Sequence, residues 1–320
     1  MVRPVTLLVL ALSGCIAALP AVAPVAAKPA APSIAPVQSV SAPEPPALAE
    51  VPAPPPYDLR VDIAAITARA KTELGDVQIA ATQDVFVLIA APGWKEASLA
   101  ASESLTVSAI DAYLNGRFDK KPNHAIAVYL FPNAVGYQAY CKLALDSPCD
   151  SPFGAYYSNL NRIIMNAGPG LGTLTHELVH PLVEVDFPRA PTWLNEGLAS
   201  LFEAPAIVRV GEIHGVSNWR LPRLLRGMAT PDESNEARLD TLFGMTDATF
   251  RDDREKLHYA TARYVCQWLD SKGALWRFYR GWRDHVDTDP TGEKSFTQAL
   301  GMSPAQAEHV WKAWVTAISK

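Results

Sequence analysis

Two histidines four positions apart, with a glutamate between them, stand at His176-Glu177-Leu178-Val179-His180. Leu174, Leu178 and Leu182 give this stretch an apolar face, and the spacing predicts a helix. On a helix, residues four apart lie one above the other, with Cβ atoms about 5–6 Å apart. Both imidazoles then reach one cation, and zinc accepts nitrogen ligands at about 2.0–2.1 Å. Glu177 falls beside that cation and not on it, where a carboxylate acts as general base towards an activated water. A hydrolytic zinc usually has three protein ligands and one open place, so this stretch is one ligand short. Trp193-Leu194-Asn195-Glu196-Gly197-Leu198-Ala199-Ser200 offers the third. Antiparallel packing of two helices would bring Glu196 back to the imidazoles, while Asn195 either orients its neighbours or caps its helix.

The elements that must position these groups read as follows. Helices are expected over 58–74, 96–114 and 134–145, and strands over 77–80, 85–90 and 125–131. The turn-prone pair Gln83-Asp84 joins the first two strands. Residues 154–158 and 162–166 form a hairpin with Asn159 and Asn161 in its turn. A long helix starts near Leu171; there Pro181 removes the N–H that would bond the Glu177 carbonyl, so a bend is expected below the metal. From Pro191 onward the pattern is almost purely helical: 192–203, 219–228, 255–271, 274–284, 294–300 and 303–318. This is an α+β order, with a small mixed or antiparallel sheet and helices followed by an all-helical lobe. The lobes span about 57–190 and about 191–320 of one domain, 57–320, with a cleft between them. The Trp-rich helices (Trp268, Trp276, Trp282, Trp311, Trp314) are expected to pack the core. His124, His214, His285 and His309 have no ligand spacing and read as surface or capping residues.

HELVH followed by WLNEGLAS resembles the gluzincin metallopeptidases, the group that includes thermolysin and the zinc aminopeptidases, and within it the peptidase MA-like branch. The likeness runs from Thr173 to Phe202. It implies a zincin-like two-lobed fold, one Zn2+ per chain on His176, His180 and Glu196, and Glu177 as catalytic base. It also implies a strand edge beside the metal that pairs with an extended peptide; Gly154 to Ser158 and Ile163 to Asn166 are the candidates, or else ordinary core strands. A tyrosine at the start of a helix facing the metal is frequent in the group. Tyr259 aligns best with that position as a transition-state donor, with His258 as a second candidate and Tyr264 in the core. The Gly-x-Met-Glu-Asn segment of the aminopeptidases is absent, so an endopeptidase acting on a peptide or protein is expected. Two other readings compete: a non-catalytic envelope lipoprotein that binds a partner through the zinc cleft, and a hydrolase of cell-wall amide bonds.

The chain's beginning speaks of export. Arg3 and the apolar run Thr6 to Leu12 read as a signal segment, 1–14. Leu12-Ser13-Gly14-Cys15 resembles the bacterial lipobox, which implies lipid modification of Cys15; the alternative is an ordinary signal cut near Ala23 or Ala27. Between Pro20 and Pro56, 23 of 37 residues are Pro or Ala, so 15–56 reads as an extended tether holding a domain away from a membrane. The expected location is the cell envelope or periplasm, with membrane contact through the lipid anchor alone. Cys141 and Cys149 would close a disulfide in an oxidising compartment, or stay as free thiols, and Cys266 reads as core. The net charge of -5 and scattered Lys and Arg argue against a nucleic-acid partner.

Overall fold

A computed structural model describes residues 58–319. The expected signal segment (1–14), the tether (15–56) and Cys15 lie outside these residues. The order is α1 (Leu59–Leu74), β1 (Gln78–Thr82), β2 (Phe86–Ala90), α2 (Glu96–Leu114), β3 (Ile126–Phe131), α3 (Ala134–Leu145), β4 (Gly154–Tyr157) and β5 (Arg162–Asn166). Then come α4 (Gly172–Glu177), α5 (Val179–Asp186), α6 (Thr192–Leu201), β6 (Ala206–Arg209), β7 (Glu212–His214), α7 (Leu221–Ala229), α8 (Leu239–Phe243) and α9 (Asp247–Phe250). The chain closes with α10 (Glu255–Ser271), α11 (Leu275–His285), α12 (Glu293–Leu300) and α13 (Pro304–Ala317). The fold is α+β, and no helix of the described residues is long and apolar enough to cross a membrane.

Five strands form a mixed sheet in the order β1-β2-β3-β5-β4. β2, β3 and β5 run parallel, while β1 and β4 flank them antiparallel. The expected turn at Gln83-Asp84 is present, with φ of 54° and 56°; two successive left-handed residues match the twist of a tight hairpin. The three central strands are buried on both faces, which is why β2 and β3 read as continuous apolar runs. One face packs Val87, Ile89, Tyr129 and Ile164 with α1 and α3. The other packs Leu88, Val128, Ile163 and Met165 into a larger core that runs from Val85 to Val315 and takes residues from both sides of position 190. Trp193, Trp268, Trp282 and Trp311 are fully buried there.

Two expectations are corrected. The part after residue 191 is not all-helical, because β6 and β7 pair as a separate two-stranded sheet. Gly211, at φ 78°, makes the tight reversal, and Val208 and Val210 face solvent, so the hairpin lacks the alternation by which a strand is recognised. The long helix from Leu171 is two helices broken at Leu178. Pro181 has no N–H for the Glu177 carbonyl, and the Thr175 carbonyl accepts a hydrogen bond from the Tyr113 hydroxyl (2.7 Å). The break thus falls within the histidine motif itself.

Cys141 and Cys149 form a disulfide. It ties the end of α3 to the loop that leads into β4, and Gln138 grips the same loop through the backbone N–H and C=O of Cys149.

Candidate metal centre

α4, α5 and α6 each bring one candidate ligand to the floor of a cleft of about 860 Å3. His176 lies in the last turn of α4, His180 in the first turn of α5 and Glu196 midway along α6. Their ligand atoms all lie within 4.8 Å of one another. Glu196 Oε2 is 3.5 Å from His176 Nε2 and 3.9 Å from His180 Nε2. A tetrahedral zinc with ligands at about 2.0–2.1 Å sets donors about 3.3 Å apart. The observed spacings are slightly wider than that edge and too long for well-made hydrogen bonds.

The protonation pattern also fits a cation. Asn195 Oδ1 lies 2.9 Å from His180 Nδ1. An amide oxygen only accepts, so Nδ1 carries the hydrogen and Nε2 presents its lone pair to the cleft floor. Glu196 Oε1 accepts from Arg251 Nη2 (3.1 Å), while Oε2 is buried with no hydrogen-bond partner. A buried carboxylate oxygen without a partner is costly unless a cation meets it. Two imidazole nitrogens and one carboxylate oxygen are a donor set that suits zinc, so the residues present fit that ion.

Glu177 is buried beside this set, its Oε2 3.8 Å from His180 Nε2. The backbone N–H of Tyr156 bonds it from the side of β4. Burial raises the Glu177 carboxyl pKa, with His176 and His180 opposing. Burial works the same way on Glu196, but His180, His176 and Arg251 outweigh it and hold that carboxyl well below the usual range. Burial disfavours a charged His176, yet the Glu196, Glu177 and Glu203 carboxylates raise its pKa overall.

Tyr259, on the first turns of α10, lines the same cleft. Burial and then the Glu196 charge push its phenol well above the ordinary value, so it keeps its proton and can donate. His258 does not share this place. One position along a helix turns a side chain by about 100°, and His258 is fully buried with Nδ1 at 3.0 Å from the Phe250 carbonyl. Tyr264 is core, as expected.

β4 is the edge strand on the cleft side, and residues 150–158 line one wall. Asn166 N–H donates to the Phe153 carbonyl. By antiparallel alternation, Ala155 and Tyr157 then also bond β5, and the backbone groups of Gly154 and Tyr156 point away from the sheet. Among the surface histidines, His214 is exposed and pairs with Glu212.

Two features of the cleft escaped the sequence reading. Arg251 follows α9 and touches both Glu196 and Tyr259. Arg220 makes a two-pronged ion pair with buried Glu203 (2.8 and 3.2 Å) and stacks over the Tyr259 ring. Neither arginine stands in a pattern of its own, so no local signal marks them. No protein-family model matches this chain, and no curated protein matches it.

Proposed function

We propose that the chain is a zinc-dependent metallopeptidase of gluzincin type, an endopeptidase of the bacterial cell envelope. The observation that carries this reading is the convergence of His176, His180 and Glu196, with a partnerless Glu196 Oε2, beside a separate buried carboxylate in an open cleft. His176, His180 and Glu196 would hold the metal. Zinc, when bound, supplies Lewis acidity towards a water and towards the scissile carbonyl. Glu177 takes the proton of the attacking water and passes it to the leaving amine. Tyr259 donates its phenolic hydrogen to the oxygen on which negative charge develops. An extended peptide lies along β4 and donates to the outward backbone carbonyls of Gly154 and Tyr156, whose N–H groups already bond Ser151 Oγ and Glu177. The Cys141–Cys149 disulfide supports export, because such bonds persist in oxidising compartments, and the sequence ahead of residue 57 supports a lipid anchor at Cys15.

A peptide-library digest tests the reading. Internal cleavage that a chelator abolishes and added zinc restores is the expected result. A chain that holds stoichiometric zinc and cleaves neither the library nor purified peptidoglycan would not be a hydrolase.

A further inference from the structure

The reaction proposed above gives Arg251 no part, yet Arg251 touches both a candidate ligand, Glu196, and the candidate donor Tyr259. It sits in the turn between α9 and α10. Its Nη2 donates to Glu196 Oε1 (3.1 Å) and its Nη1 lies 3.4 Å from the Tyr259 hydroxyl. Acids steady it from behind: Asp247 Oδ1 lies 3.4 Å from Nε, and Glu255 Oε1 lies 3.5 Å from Nη1. Asp247 in turn accepts from the Thr192 hydroxyl (2.6 Å). Thr192 opens α6, the helix that carries Glu196, so the chain of contacts closes on itself.

This loop has a geometric effect on the carboxylate. With Oε1 held by the guanidinium, only Oε2 is left to face the two imidazoles. A carboxylate free of Arg251 could rotate and turn Oε2 away from the imidazoles. We infer that Arg251 is a positioning residue of the metal centre: its planar fork fixes Glu196 as a one-oxygen ligand and sets the Tyr259 hydroxyl on the open side of the site. The inference rests on the metallopeptidase reading.

Charge alone predicts the reverse sign. A fixed guanidinium near a cation repels it, so removing Arg251 would tighten zinc binding if electrostatics were its main effect. Positioning predicts that zinc binding weakens, because partners that orient a ligand typically contribute about 10–100-fold to metal affinity. Zinc affinity of the full chain, measured by competition with a chromophoric chelator, separates the two for wild type, Arg251→Met and Arg251→Lys. The Arg251 side chain is 45% exposed, and the thermal midpoints of the zinc-free chains show that the variants fold. Arg251→Met is expected to bind zinc about ten-fold more weakly, with a lower kcat. Arg251→Lys recovers part of the affinity, because an ammonium reaches one oxygen, but not kcat, because it cannot fork to the phenol. Zinc held by Arg251→Met as tightly as by wild type, or more tightly, overturns the inference and leaves the metallopeptidase reading standing. A wild-type chain that binds no zinc overturns both.

Discussion

Glu177 and Glu196 are both buried carboxylates beside the same imidazoles, yet their surroundings drive them apart. Glu196 has Arg251 on one oxygen and His176 and His180 near the other, so ionisation is strongly favoured. Glu177 has no arginine against it, and burial raises its pKa. On the proposed reading one carboxylate stays charged as a ligand and the other exchanges a proton, a division of labour set by environment. Glu177→Gln is nearly isosteric and leaves all three candidate ligands in place. We expect it to keep one zinc per chain while turnover falls about 100- to 10,000-fold, the usual contribution of a general base. His176→Ala is expected to lose both. Zinc content and peptide turnover measured on the same preparations check the pair, and undiminished turnover in Glu177→Gln would remove the role of Glu177.

At the scale of elements, the close approach of α6 and α10 sets the distance between Glu196 and Tyr259. Gly197 makes it possible: a Cβ there would lie 2.9 Å from Cys266 Sγ and 3.0 Å from the Ala262 carbonyl. Gly197→Ala should therefore push α10 outward and destabilise the chain by about 1–3 kcal/mol, the usual cost of overpacking. On the proposed reading turnover should drop more than zinc content, since the candidate ligands sit on α4–α6 and Tyr259 does not. Thermal melts with parallel zinc and activity assays would reveal either effect. Most of this frame was readable in advance. β2 and β3 announce themselves as apolar runs and β5 by the asparagine turn ahead of it, and the two motifs carry all three candidate ligands. The unreadable parts have identifiable reasons. α8 and α9 have five and four residues, too few for a helical period to show. Arg251 precedes Asp252 and Asp253 and looks like part of a solvated turn; only the folding of α9 against α6 turns it into a contact of the metal set. The helix break was half legible, since Pro181 predicts a lost bond, but the Tyr113 hydroxyl arrives from 62 positions away.

For the whole molecule, two devices tie the sheet to its surroundings. The disulfide closes a loop over a sequence separation of 8, which corresponds to about 2–3 kcal/mol of chain entropy. The Cys141→Ser/Cys149→Ser variant should lower the unfolding free energy from urea titration by that amount. It should also raise KM more than it changes zinc affinity, because the loop leads to the β4 edge and not to the ligands. On the same face of the sheet, the Glu73 carboxylate of α1 accepts from the hydroxyls of Tyr129 and Tyr140 (2.8 Å each), with Arg162 alongside. Burial, with the Glu73 carboxylate adding and Tyr140 opposing, pushes the Tyr129 phenol up to about 12. The unfolded chain releases that proton near the ordinary value of 10.0. The native state therefore binds the proton more tightly. Its stabilising effect is complete below about pH 10 and is lost as pH climbs through about 12. Urea midpoints taken across that interval should fall less steeply for Tyr129→Phe than for wild type; equal slopes would show that this phenol does not govern alkaline unfolding.

The candidate ligands all come from one short span of chain, 172–201, with Arg251 tied to the same helix α6 through Asp247 and Thr192, whereas Tyr259 arrives from the other side of the Gly197 seam. Retaining a cation and using it are therefore mechanically separable. On the proposed reading, a disturbance that parts α10 from α6 would leave a protein that binds zinc without turnover, and an assay of metal content alone would count it as intact.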